Sequence, residues 1–348
     1  MSDVVLRKAG RAGRITLNRP DALNALTYPM LLEIEAALDA WWDDPEVAMV
    51  IIDATGDRAF CAGGDIAEMY RTGMSGDYEY GRKFWHDEYR LNAKIFEFPK
   101  PYAAFMQGFT MGGGVGVSCH GSHRIVGDTS QIAMPECGIG LLPDVGGTLI
   151  LSRAPGRMGE YLGTTGHRMG PGDAILAGFA DYYFPEADWP DLITRLEATG
   201  DHSLIDAAAK PAPPASLAEA QTQIDRAFTG ATLGDVVRAL QGETGDFAAT
   251  TLKALSRGSP LAMACAYEAV GRVRGADGIR RALEMEYRFT YRAGEHSDFL
   301  EGIRAAIIDK DRSPKWRHPG PTKVPPMEVA KMLMPLGADT LTFEGRTS

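Results

Sequence analysis

Glu136 and Asp144 stand eight residues apart in Ala133-Met134-Pro135-Glu136-Cys137-Gly138-Ile139-Gly140-Leu141-Leu142-Pro143-Asp144-Val145-Gly146-Gly147, a stretch otherwise apolar, proline or glycine. A carboxyl group taken out of water holds its proton more tightly, so two of them in an apolar loop suit nucleophilic or acid–base work. The plainer alternatives are an N-cap for Asp144, ahead of a helix at Val145, and a structural ion pair for Glu136. Two glycine-rich stretches could complete such a site. In Phe60-Cys61-Ala62-Gly63-Gly64-Asp65-Ile66 the paired glycines remove the Cβ atoms that keep a ligand from the backbone; the stretch is either half of an oxyanion hole or a turn that caps a helix. Gln107-Gly108-Phe109-Thr110-Met111-Gly112-Gly113-Gly114-Val115-Gly116 fits neither a phosphate loop nor G-x-G-x-x-G spacing. Its three adjacent glycines suit backbone N–H groups aimed at a developing oxyanion, or else close strand-to-helix packing.

Other combinations carry less. Ser118-Cys119-His120 lacks a G-x-S-x-G elbow, and adjacent residues on a helix point to different sides. The seven histidines show no H-E-x-x-H or ligand-like pairing, so no metal site is expected. By pattern alone His86-Asp87-Glu88 reads as a solvated helix face.

The elements that must hold these residues are strands first and helices later. Apolar runs of strand length lie at 14–17, 49–52, 102–106 and 124–126, and the glycine-rich stretches follow the second and third of them. Leu31, Ile34, Leu38 and Trp41 or Trp42 recur at helical spacing behind Thr27 as N-cap and Pro29 in the first turn. This alternation predicts a layered α/β core with its sites in loops at strand ends. After about residue 155 the strand signal fades. Helices are expected over 217–228, 248–255, 260–273 and 278–291, with Ser259-Pro260 as a cap and first-turn pair. The segment AAAKPAPPA, residues 207–215, reads as a stiff loop or hinge. The expected organisation is a core over 1–205 that carries the site, a helical region over 206–320, and a tail over 321–348.

With 348 residues, 45% of them hydrophobic, the chain can bury a substantial core. Lys plus Arg number 36 against 46 Asp plus Glu, and no basic run tracks a phosphate backbone, so nucleic acid is not an expected partner. Cys61, Cys119, Cys137 and Cys265 are too scattered for a disulfide framework and read as buried thiols. No apolar stretch approaches the roughly 20 residues that span a bilayer, and Met1 to Leu6 lack a basic region followed by a long apolar run; a soluble cytoplasmic protein is expected.

Asn18-Arg19-Pro20 with Ala22-Leu23-Asn24-Ala25-Leu26, then Cys61 to Ile66, Gly112 to Gly114 and Met134-Pro135-Glu136, taken in that order, resemble the crotonase (enoyl-CoA hydratase/isomerase) superfamily. The resemblance implies an α/β spiral of β-β-α units with an α-helical C-terminal region. It also implies an acyl-CoA thioester as partner, its carbonyl oxygen held between two N–H groups that fall at Gly64 and Gly113. Within the superfamily the pattern most resembles the 3-hydroxyisobutyryl-CoA hydrolases, through Phe109 to Gly116, Met134 to Gly147, and a late block at Asp298 to Ala305 and Ile308 to Trp316. It covers residues 3–317, except that 181–247 cannot be matched in detail.

Carried over by position, the family's substrate contacts fall on Glu88, Gly113, Glu136 and Asp144, with Glu88 placed only through Glu88-Tyr89-Arg90-Leu91-Asn92. Glu136 would attack the thioester or activate water, and Asp144 would orient substrate or carry a proton. The implied reaction is hydrolysis of a short branched 3-hydroxyacyl-CoA, as in valine catabolism. It needs no metal or redox cofactor, coenzyme A being part of the substrate. No membrane partner is implied, and homo-oligomers (trimers or hexamers) would be in keeping with the family. Two-glutamate hydratases carry their first catalytic glutamate where this chain has Gly116, which cannot move a proton. The alternatives are an enoyl-CoA hydratase or isomerase, and a non-catalytic acyl-CoA-binding homologue.

Overall fold

The computed structural model describes residues 2–343. Its strands are β1 (Val4–Ala9), β2 (Ala12–Leu17), β3 (Met49–Ala54), β4 (Ala59–Cys61), β5 (Tyr102–Met106), β6 (Phe109–Met111), β7 (His123–Val126), β8 (Gln131–Ala133) and β9 (Tyr182–Tyr183). The helices are α1 (Tyr28–Trp41), α2 (Ala67–Met74), α3 (Glu79–Phe96), α4 (Gly113–Ser118), α5 (Gly147–Arg153), α6 (Met158–Thr165), α7 (Pro171–Leu176), α8 (Trp189–Thr199), α9 (Ser203–Ala208), α10 (Ser216–Ala227), α11 (Leu233–Gln241), α12 (Asp246–Leu255), α13 (Pro260–Val273), α14 (Ile279–His296), α15 (Phe299–Ile303) and α16 (Pro326–Leu333).

Long and short strands sort into two sheets, one ordered β1-β2-β3-β5-β7-β9 and the other β4-β6-β8. Apart from the β1–β2 pair, neighbouring strands are parallel. Three times the chain adds a long strand to the first sheet, a short strand to the second, and then helix: β3-β4-α2, β5-β6-α4 and β7-β8-α5. This is the expected β-β-α spiral. Because β4, β6 and β8 are parallel neighbours, their C-terminal ends lie side by side, and each opens into one of the three stretches singled out in the sequence. Loops at the carboxyl ends of parallel strands are where open α/β sheets bind ligands.

The long strands alternate their side chains between two apolar layers, as a parallel sheet covered on both faces requires. Val50, Ile52, Ala104, Met106 and Val126 join the main core, whereas Met49, Ile51, Ala103, Phe105 and Ile125 pack on Trp189, Leu192, Leu196 and Ile205 of α8 and α9. Part of the unmatched region 181–247 thus covers the far face of the sheet. Thr27 caps α1 as expected, its hydroxyl accepting from Met30 N at 3.4 Å.

Only the two-residue β9 follows residue 155 among the described strands, and the other described elements there are helices or helical turns. Three of the four expected helices end within two residues of their observed bounds, while α14 runs to His296, a turn beyond Tyr291. Ser259 caps α13 by accepting from Ala262 N at 3.1 Å. From Ala209 the Ala/Pro-rich segment is irregular, its Pro213 carbonyl seated close to Gly172. Among the helices not singled out in the sequence are α11, which starts on a Thr232/Asp235 capping box, and α16, which buries Met332 and Leu333 against α13 and α14 inside the expected tail. The last five tail residues lie outside the described residues. No described helix is long and apolar enough to cross a membrane.

Candidate active site

Gly64, Glu88, Gly113, Glu136 and Asp144 all line one cavity of about 340 Å³, together with Ile66, Phe84, Leu141, Val145 and Ile307 among others. The larger hollows elsewhere, of about 680, 520 and 450 Å³, touch none of these five residues. Of the lining residues none comes from 181–247, so the unmatched segment does not wall the site.

The glycine stations lie against each other. Residue 64 forms a parallel bridge with Leu26, in which Leu26 N donates to Gly63 O and Asp65 N to Leu26 O. The residue between two such bonds turns its own N–H away from the partner strand. Gly113 is the first residue of α4, whose opening intrahelical bond runs from Gly116 N to Gly112 O, leaving the N–H groups of the first turn without an acceptor inside the helix. A Cβ at Gly113 would stand 3.3 Å from Gly64 N and 3.0 Å from Glu88 Oε1. The chain turns into α4 through Gly112 at φ +51, and a Cβ there would press on Glu136 Oε1 at 2.8 Å. Here bare glycine backbone lies within reach of two carboxylates.

Glu136 opens a single 3-10 turn, Glu136–Ile139, directly after β8. The C-terminal region clasps this turn. Gly302 lies against the Ile139 carbonyl, Gly140 against the Asp298 backbone, and Ser259 N donates to Cys137 O at 2.8 Å. Asp298, buried in the late block, accepts from Ser259 Oγ at 2.6 Å, and the π-helical turn Arg304–Ile308 brings Ile307 to the cavity. The late block therefore serves the site from a distance of 160 residues along the chain.

Neither plainer alternative for the carboxylates holds. Helix α5 starts at Gly147 with Gly146 as its N-cap, so Asp144 is not the cap. Among the described residues neither Glu136 nor Asp144 is in an ion pair, and Glu136 Oε2 and Glu88 Oε1 are buried without a hydrogen-bond partner. The solvated-face reading of His86-Asp87-Glu88 also fails for its two acids: Asp87 is buried, and Glu88 is only 3% exposed. Phe84, Trp85, Glu88, Leu91, Asn92 and Ile95 make one inward stripe of α3, so its helical period carried a signal that placed Glu88 inside. Ser118-Cys119-His120 forms no dyad, for Ser118 Oγ donates to Gly114 O and His120 pairs with the Val145 carbonyl.

Burial pushes all three carboxyl groups up. Asp144 rises to about 7 by loss of hydration, held back by the phenol of Tyr89, which donates to Oδ2 at 2.8 Å. Glu136 and Glu88 are raised well above the usual range, first by burial and then by the charge of Asp144. Three such groups in one cavity do not ionise independently, and Asp144, at about 7, gains and loses its proton near neutral pH. With two N–H groups beside them, the site has the parts for acyl transfer.

Three supports of the Asp144 loop were missed. Val145 and Gly146 both have positive φ, 54° and 78°, costly for a β-branched residue and sustained by surrounding contacts. Tyr89 holds the Asp144 side chain, and His120 Nε2, 2.7 Å from Val145 O, holds the backbone. Burial lowers His120 to about 4, so the ring is neutral and donates from Nε2. Glu286 of α14 accepts from Gly146 N at 2.7 Å, Thr148 N at 2.9 Å and the Thr148 hydroxyl. A sequence signal existed for Glu286, which falls on the apolar stripe of α14 with Ala282, Leu283, Phe289 and Ala293.

The sequence model of the family described as enoyl-CoA hydratase/isomerase matches residues 12–333. The chain belongs to that family. It is 38% identical over 335 residues to a Danio rerio protein named 3-hydroxyisobutyryl-CoA hydrolase, mitochondrial, covering 91% of this chain and 85% of that one. A Gallus gallus protein of the same name is 35% identical, covering 98% of this chain and 91% of the relative. Among solved structures, one described as an enoyl-CoA hydratase from Rhodobacter sphaeroides is 60% identical with a TM-score of 0.95, covering 98% of this chain and all of that one. Another, described as a carnitinyl-CoA dehydratase from Mycobacterium thermoresistibile, is 39% identical with a TM-score of 0.94, covering 99% and 100%. These matches bear out the family and the fold read from the motifs. They overturn the cytoplasmic expectation, since the Danio and Gallus relatives are named as mitochondrial proteins. The region 181–247, unmatched by motif, lies inside the span that the family model covers.

Proposed function

We propose that the enzyme hydrolyses the thioester of a short branched 3-hydroxyacyl-CoA, of the 3-hydroxyisobutyryl type met in valine catabolism, to the free acid and coenzyme A. The thioester oxygen sits between the N–H groups of Gly64 and Gly113, where charge develops as the carbonyl carbon becomes tetrahedral. The Glu136 carboxylate either attacks that carbon, forming a mixed anhydride that water then cleaves, or takes a proton from water as it attacks. In both routes the C–S bond breaks, and the departing thiolate takes a proton from Asp144, which at about 7 carries one for much of the time near neutral pH. Glu88, whose burial favours the protonated form, lines the same cavity and can donate a hydrogen bond to the substrate when it carries its proton.

The observation that carries the reading is at Gly116. A Cβ built there would lie 2.7 Å from Asn92 Nδ2 and 2.8 Å from Val145 Cβ, so the place of the hydratase's first glutamate is taken up by other side chains. Water addition across a double bond then lacks one of its two acids, whereas hydrolysis does not need it. The names of the Danio and Gallus relatives support the same substrate.

A hydratase is the second reading, favoured by the description of the 60% identical Rhodobacter protein. A thiol-release screen over 3-hydroxyisobutyryl-CoA, 3-hydroxypropionyl-CoA and crotonyl-CoA separates the two. Free CoA should appear from a 3-hydroxyacyl thioester far faster than crotonyl-CoA is hydrated; comparable or faster hydration refutes the hydrolase reading. Tight acyl-CoA binding with no turnover would point to a non-catalytic homologue. The first two substrates differ by one methyl group, worth about 1–3 kcal/mol in a pocket, so the panel also ranks the acyl group.

A further inference from the structure

We propose that Glu286 is a positioning residue for catalysis, clamping the loop of Asp144 from α14, a helix far from that loop in sequence. The proposal rests on Asp144 being catalytic, as in the hydrolase reading above. Glu286 is fully buried, and its two oxygens are filled by three donors: Gly146 N on one, Thr148 N and the Thr148 hydroxyl on the other. Three donors on one buried carboxyl group are a strong set, since removing their acceptor would leave the N–H groups of Gly146 and Thr148 buried without a partner. They reach the backbone two and four residues beyond Asp144.

Between the clamp and Asp144 lies only Val145, held at φ 54°. The natural relaxation of a β-branched residue is back to negative φ, which would swing the Asp144 carboxylate out of its place beside Tyr89. Gly146 N, held by Glu286, fixes one side of Val145. His120 fixes its carbonyl. Four residues along α14 from Glu286, one helical turn, Thr290 Oγ1 lies 3.5 Å from the Tyr89 phenol, so the same helix face stands behind both supports of Asp144. Glu286 also substitutes for the side-chain cap that Gly146 cannot provide to α5. A cap alone would stabilise the fold without setting a rate, and that difference makes the two roles separable.

The test is a double-mutant cycle with Glu286→Gln, Asp144→Asn and the pair, each checked for folding by near-ultraviolet circular dichroism. Rates are measured on whichever acyl-CoA the wild-type enzyme turns over fastest, so failure of the hydrolase reading leaves the cycle interpretable. In Glu286→Gln the new NH2 faces a backbone N–H, and the loop must shift. A displacement of about 1 Å can cost on the order of 10²-fold, so kcat should fall about tenfold or more while KM stays within about threefold. In the Asp144→Asn background the same change should cost less than about twofold, because the residue it acts through is already disabled. Glu286→Asp, which keeps the carboxyl group one methylene shorter, should recover part of the loss. If Glu286→Gln does not fold, the cycle is run with Thr148→Val, which removes only the hydroxyl donor. Equal losses in both backgrounds, or a folded clamp variant with wild-type kcat, overturn the proposal.

Discussion

Replacing Asp144 by Asn should make the protein less active and, at alkaline pH, more stable. The wild-type carboxyl is raised by burial from 3.8 to about 7. Each tenfold change in proton affinity corresponds to about 1.36 kcal/mol. The folded state therefore favours the protonated form by about 4 kcal/mol relative to the unfolded chain. With the folded value above the unfolded one, that contribution is intact below about pH 4, declines as pH rises from about 4 to about 7, and is fully lost above. Asn carries no charge and escapes the decline. It gives up the charge-assisted bond from Tyr89 for a neutral one, at a cost of about 1 kcal/mol. The stability of Asp144→Asn relative to wild type should therefore improve by about 2–3 kcal/mol between pH 5 and pH 8.5. Glu88 and Glu136, both raised partly by the charge of Asp144, would add to this gain. Urea unfolding of both proteins at the two pH values measures the difference. A relative stability that does not change with pH, or that falls as pH rises, refutes a buried and costly carboxylate at 144.

Two further predictions concern the reacting groups. Gly113→Val would place methyl groups around a Cβ already 3.0 Å from Glu88 Oε1 and 3.3 Å from Gly64 N, closing the approach to the paired N–H groups; turnover should drop by on the order of 10²-fold or more, and a folded variant with near-wild-type rates would remove Gly113 N–H from the site. If Glu136 is the nucleophile, hydroxylamine should trap an acyl hydroxamate or a hydroxamate on Glu136, single turnover in heavy-oxygen water should label its side chain, and Glu136→Gln should bind substrate without turning it over. Turnover with neither trapping nor label leaves Glu136 as a general base.

Much of the site could be read along the chain because its parts are local in sequence. A glycine pair, a glycine triplet and an apolar loop with two acids each follow a strand of their own, and parallel pairing of β4, β6 and β8 brings the three loop ends together. Local pattern marks the glycine pair 63–64, the glycine triplet 112–114, Glu136 and Asp144, and the resemblance picks Gly64 and Gly113 among the glycines; the strand order β4-β6-β8 states that they meet. Glu88 was hidden by its exposed-looking neighbours His86 and Asp87, although the 3.6-residue period of α3 points it inward beside Phe84 and Leu91.

Composition and local pattern determined the α/β class, the strand-to-loop sites and the caps at Thr27 and Ser259, because each depends on residues within a turn or two of one another; the missing acid at Gly116 came from the family resemblance. Tertiary structure alone decided the partners drawn from far along the chain. Glu286 meets Gly146 across 140 residues, Asp298 and Gly302 seat the turn of Glu136, and Asn92 and Val145 close the space beside Gly116. A helical period can mark such a residue as buried, as it does Glu286 on α14, but no spacing names the distant partner it meets. Such contacts arise where packing forces two distant surfaces to exclude water, and a buried carboxyl must then find its donors, or keep its proton, on whichever backbone the fold has brought beside it.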